Sequence, residues 1–139
     1  VAILFLQSAI RQMMKQGGGG SIVNVASVGG LVGTPQYALY AMSKHGLIGL
    51  TKCIALAFAQ GNIRVNSVCP GPTLTPMLED VARQQGLSDV DDLAIQQRVP
   101  IGRPGKATEV AEAVAWLCSD RASNTTGSNL LVDGGCTSQ

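Results

Sequence analysis

The chain has 139 residues, 45 % of them hydrophobic and 14 % charged, with a formal net charge of +1. That length supports one domain with a real core, and the absence of a Lys/Arg cluster argues against nucleic acid as a partner. The apolar opening, residues 1–6, is interrupted by Gln7 and Ser8 and ended by Arg11 and Lys15, which argues against a membrane span or a signal peptide.

Along the chain, Ile3, Leu6, Ala9, Ile10 and Met13 recur at helical spacing. Four consecutive glycines, Gly17 to Gly20, end that helix because ordering them costs too much backbone entropy. Residues 21–26 (Ser-Ile-Val-Asn-Val-Ala) predict a buried strand. Residues 27–36 contain Gly29, Gly30, Gly33 and Pro35 and predict a loop. A long helix is expected over 38–59, stopped by Gly61 and Asn62, and then a strand over 63–68. Three prolines and a glycine make 70–76 a rigid, non-helical turn. The polar, acidic stretch 74–99 predicts two short helices. Residues 107–119 predict an amphipathic helix with Val110, Val114 and Leu117 on one face. A third strand over 129–132 is closed by Asp133, Gly134 and Gly135.

Helices alternating with short apolar strands predict an α/β fold with a parallel sheet. Ligands of such sheets bind at the carboxyl ends of the strands, an edge that Ser27, residues 69–70 and Asp133 would share. The chain begins with Val1 inside a helix, so a single but partial domain over 1–139 is expected. The long helix has only Lys44 and Lys52 as charged residues. Its small Gly46 and Gly49 predict a face that another subunit covers, the alternative being burial within a larger monomer.

Cys53, Cys69, Cys118 and Cys136 are scattered and His45 is the only histidine, so no metal is expected. Buried, reduced thiols in the cytoplasm are the simple expectation. His45 is expected to be a packing or surface residue.

The chemistry concentrates in Ser27, Tyr40 and Lys44. Tyr40 and Lys44 stand at i and i+4 and share a helix face. An ammonium within about 4–6 Å of a phenol favours the phenolate, which makes Tyr40 a candidate proton carrier to or from an alcohol oxygen. Ser27, at a strand end, can hydrogen-bond the same oxygen.

The chain resembles the C-terminal half of a short-chain dehydrogenase/reductase of the Rossmann type. The matching stretches are Gly20-Ser-Ile-Val-Asn-Val-Ala-Ser27, Tyr40-Ala-Met-Ser-Lys44, Ile63-Arg-Val-Asn-Ser-Val-Cys-Pro-Gly71, Thr75-Pro-Met77, Gly102-Arg-Pro, Glu109-Val-Ala111, Leu117-Cys-Ser-Asp120, Thr126-Gly127 and Val132-Asp-Gly-Gly135. The resemblance implies Ser27 as the substrate-orienting serine, Tyr40 as the acid/base and Lys44 as the lysine that tunes it and contacts the nicotinamide ribose. It further implies that Pro70 and Gly71 form the turn beside the nicotinamide. Thr73 would hold the carboxamide through backbone atoms and Thr75 would contact the cofactor. The cofactor would be NAD or NADP, the substrate a small secondary alcohol or ketone, and the helix over 38–59 the dimer element of a homodimer or homotetramer. The three residues between Tyr40 and Lys44 are fewer than enoyl reductases use, whereas 3-oxoacyl-carrier-protein reduction stays open. Two expected features are missing: the glycine-rich phosphate loop and the catalytic asparagine. Gly17 to Gly20 precede a strand, whereas a phosphate loop follows one. A second reading is therefore a truncated, non-catalytic relative that serves only to pair subunits.

Overall fold

The computed structural model describes residues 2–138, apart from Ser88, Val90, Asp91 and 93–98. Helix α1 (Ala2–Gln16) buries Leu6 and Ile10. Gly17 and Gly19 take left-handed φ values of 73° and 75° and turn the chain into β1 (Gly20–Val25). Helix α2 spans Ala38–Phe58 and buries Ala41, Ile48, Thr51 and Ala55 at helical spacing. It runs through a single 3-10 turn to Asn62, whose left-handed backbone starts β2 (Ile63–Pro70).

Strands β1, β2 and β5 (Asn129–Val132) form one parallel sheet in the order β1-β2-β5. Val25 lies opposite Val68, and Pro70 opposite Val132, so the three strands end on one edge. Successive side chains of β2 point to opposite faces. Ile63 and Val65 join Ile10 and Ala55 beneath α1 and α2, with Met13, Ile22, Ile54 and Phe58 packed around them. Arg64 and Asn66 face the other way. The Arg64 guanidinium donates to the carbonyls of Leu117, Ser119 and Thr125 at 2.8, 3.1 and 3.3 Å. Those first two carbonyls close helix α4 (Ala107–Cys118), so a cation sits where the helix dipole favours one.

Several expectations change. Strand β1 is only half-buried, with Val25 55 % exposed, because it lies at the sheet margin. Strand β2 continues through Pro70, since a proline at a strand end forfeits only one ladder donor. The stretch 70–76, expected as a plain turn, contains β3 (Thr73–Leu74), which pairs in parallel with β4 (Gly105–Lys106). Helix α3 (Pro76–Gln84) starts at Pro76 with Thr75 as its cap; the second helix expected before residue 99 lies outside the described residues. The thiols are not uniformly buried: Cys69 is, but Cys53 and Cys118 are exposed and Cys136 is half-buried. Two of them sit on outward helix faces, which composition alone does not reveal. His45 is a surface residue whose Nδ1 lies 2.9 Å from the Ala41 carbonyl oxygen.

Candidate active site

Ser27 follows β1 closely. Ala26 N–H still donates to Val68 O at 2.8 Å, after which the chain enters a 3-10 turn over Val28–Gly30. Ser27 caps this turn, its Oγ accepting from Gly29 N–H at 3.1 Å. Because the oxygen accepts there, the hydroxyl hydrogen stays available as a donor. The turn sits directly on α2: a Cβ on Gly30 would stand 2.9 Å from the Lys44 carbonyl and 2.8 Å from Ile48 Cδ1. Only glycine permits that approach.

Gly29 brings two of the candidates together. A Cβ there would lie 3.3 Å from Tyr40 Cε1 and 3.6 Å from Ser27 Oγ, so the phenol ring and the serine hydroxyl flank one glycine. One turn along α2, Lys44 Nζ stands 5.5 Å from the Tyr40 ring centroid and donates to Val25 O at 2.9 Å. The ammonium is thus tied to the end of β1, on the edge where Ser27 emerges. Tyr40 is 43 % exposed, so its ring is open to a ligand.

Beneath them lies Cys69, fully buried. Burial pushes its thiol up; the Ser67 hydroxyl, the Ser27 backbone and the Lys44 ammonium pull the other way without offsetting it. Cys69 is therefore a neutral packing residue at ordinary pH. Thr34 belongs to the same corner, its methyl 3.5 Å from the Gly29 Cβ position and its buried hydroxyl without a partner among the described residues. Neither Gly30 nor Thr34 was legible as a site residue, because a loop of glycines and a lone threonine has no periodic signal.

The 70–75 turn occupies the adjacent strand end. Gly71 N–H donates to Val132 O at 3.1 Å and Gly105 N–H to Pro72 O at 2.8 Å. Thr73 Oγ1 donates to Gly71 O at 3.0 Å. The Thr75 hydroxyl, expected at the cofactor, donates to Thr73 O at 3.2 Å and accepts from Leu78 N–H at 3.4 Å, which caps α3. Its sequence signal was the following Pro76, a favoured first helical residue. Among the described residues, no group of three or more His, Cys, Asp or Glu is arranged to hold a metal ion. No described helix is long and apolar enough to cross a membrane.

A family model described as Enoyl-(Acyl carrier protein) reductase matches residues 2–137. The A-factor type gamma-butyrolactone 1'-reductase (1S-forming) of Streptomyces virginiae is 47 % identical over 132 residues, covering 95 % of this chain and 50 % of that protein. Among solved structures, levodione reductase superposes with a TM-score of 0.90 at 37 % identity, covering 98 % of this chain and 53 % of the other. A 4-hydroxyisoleucine dehydrogenase complexed with NADH gives a TM-score of 0.89 at 33 % identity, covering 99 % and 55 %. The chain spans about half the length of these relatives.

Proposed function

Because the chain belongs to the short-chain dehydrogenase/reductase family, we propose that the protein carrying it is an oxidoreductase in which Tyr40 moves a proton on or off the oxygen of a secondary alcohol or ketone. The observation that carries this reading is the meeting of the Lys44 ammonium, the Tyr40 ring and the Ser27 turn around Gly29 and Val25. The ammonium puts a fixed positive charge beside the phenol, 5.5 Å from its ring centroid. Ser27 donates its hydroxyl hydrogen to the substrate oxygen and so orients it toward the phenol. Tyr40 then takes the alcohol proton, or gives one to the carbonyl in the reverse direction.

A nicotinamide cofactor, NAD or NADP, supplies the hydride acceptor or donor. The residues on this edge fit its nicotinamide end: Lys44 retains two N–H donors for ribose hydroxyls, and Pro70, Gly71, Thr73 and Thr75 offer a rigid turn of backbone groups beside it. The glycines 17–20 do not fit its pyrophosphate. They stand at the opposite edge of the sheet, where Gly20 N–H donates to Asn62 O at 3.0 Å. With three residues between Tyr40 and Lys44, carbonyl reduction is favoured over enoyl reduction; 3-oxoacyl-carrier-protein substrates fall within that class. The exposed Cys53 and Cys118 suit a reducing cytoplasm.

The same protein is proposed to pair through α2. Leu39, Met42 and Leu56 are 79 %, 67 % and 84 % exposed on its outer face. Gly46 and Gly49 on that helix meet nothing within 4 Å of a Cβ position. This surface supports a homodimer or homotetramer, and it is also what a non-catalytic pairing module would use.

The test is Tyr40→Phe in the full-length protein. Turnover should fall roughly 10²- to 10⁴-fold, with NADH or NADPH affinity, read by cofactor fluorescence, unchanged. Retained turnover overturns the proton-carrier assignment. An unmodified full-length protein that binds neither dinucleotide favours the pairing-only reading.

A further inference from the structure

Asp133 has no part in the chemistry above, yet its carboxylate is fully engaged. Oδ1 accepts from Gly135 N–H at 2.9 Å, and Oδ2 accepts from Thr137 N–H at 2.9 Å and from Thr137 Oγ1 at 2.7 Å. Burial pushes the carboxyl up, but these hydrogen bonds more than offset it and hold it below the ordinary carboxylate range. The carboxylate thus closes residues 133–137 into a turn.

The backbone of that turn is what reaches the site. A Cβ on Gly71 would stand 2.9 Å from Asp133 Cα and 3.0 Å from Asp133 Cβ, so the 70–75 turn rests on Asp133 without clearance. The preceding residue supplies Val132 O to Gly71 N–H at 3.1 Å. From the other side, Gly134 O accepts from Ile101 N–H at 3.2 Å, and a Cβ on Gly134 would stand 2.8 Å from Val99 Cγ1. The tail turn is wedged between the 70–75 turn and the chain leading into β4.

We propose that Asp133 is a positioning residue: by closing the 133–137 turn it fixes the height of Gly71, and with it the backbone groups that hold the nicotinamide end of the cofactor. This inference rests on the reading of the 70–75 turn given above. A carboxylate that only tidied the chain end would change stability without distinguishing one part of a ligand from another. A positioning carboxylate affects the nicotinamide end alone.

The experiment compares binding of NADH or NADPH with binding of ADP-ribose, which lacks the nicotinamide, in the full-length protein and in Asp133→Asn, Thr137→Val and Gly71→Ala variants. Asp133→Asn should weaken the reduced dinucleotide about tenfold, the scale of one charge-assisted hydrogen bond, while leaving ADP-ribose affinity unchanged. Thr137→Val removes one of the three contacts and should give the same pattern at a smaller size; it decides the matter if Asp133→Asn does not fold. Parallel weakening of both ligands, or no change in either, overturns the proposal. Gly71→Ala separates the two layers of argument. If it weakens the dinucleotide while the Asp133 and Thr137 variants do not, the positioning role falls and the site reading stands. If Gly71→Ala leaves dinucleotide affinity unchanged, the site reading falls and the positioning role with it.

Discussion

The two edges of the sheet use their polar groups differently. At the amino edge, polar groups are consumed within the chain. Arg64 satisfies three carbonyls at 2.8–3.3 Å, Val65 N–H donates to Thr126 Oγ1 at 3.1 Å, and Asn66 bridges Thr125 O and Ser128 N–H. At the carboxyl edge, the Ser27 hydroxyl hydrogen, the Tyr40 phenol and part of the Lys44 ammonium are left over after the hydrogen bonds among the described residues are made. Satisfied polar groups stabilise and leave nothing for a ligand; unspent donors held in place are what a site requires. The difference predicts that damage at one edge lowers stability and damage at the other lowers activity.

The largest effect that would sharpen this division is Lys44→Ala in the full-length protein. It should reduce kcat/KM roughly 100-fold and weaken the dinucleotide, with a melting curve close to that of the parent. A large loss of stability with activity per folded molecule intact would break the comparison. Leu117→Ala, beneath the Arg64 carbonyl cluster and fully buried, should cost about 2–5 kcal/mol by chemical denaturation and leave KM alone. Gly30→Ala lies between the two classes. Its methyl would meet the Lys44 carbonyl at 2.9 Å, so a cost of roughly 1–3 kcal/mol should accompany a fall in kcat.

The smallest effect is expected at an exposed pair that flanks β4, beside the 70–75 turn. Arg103 Nη1 and Nη2 donate to Glu109 at 3.0 and 2.8 Å, and Lys106 N–H donates to it at 2.6 Å. The Arg103 hydrogen bond and the Lys106 N–H hold the Glu109 carboxyl down at about 2. A depressed carboxyl stabilises the fold above the ordinary carboxylate range, and that contribution is lost as pH falls towards its folded value. Glu109→Gln should therefore be slightly less stable than the parent near neutral pH, and the gap should close on acidification towards pH about 2. A gap that persists unchanged in acid would mean that the ion pair contributes nothing.

Sequence patterning located the main elements because their periods are strong. Helix α2 was expected over 38–59 and spans Ala38–Phe58, and β5 falls on the four residues expected. Two-residue strands such as β3 and β4 have no period to read, and they exist only because Gly105 N–H reaches Pro72 O. The i,i+4 spacing correctly put Tyr40 and Lys44 on one helix face. That Gly29 and Gly30 form the seat joining Ser27 to α2 depends on an approach between distant segments, which local sequence does not encode. Likewise, Asp133 reads only as the end of a strand until Thr137 and Gly71 are seen on either side of it.

One consequence follows from the Lys44 tether to Val25 O. Immobilising a lysine side chain forfeits about 2 kcal/mol of rotamer entropy. Here that loss is incurred during folding, before any guest arrives. A hydroxyl docking on the remaining ammonium protons meets a rigid host, so calorimetry should find little conformational penalty assignable to this side chain.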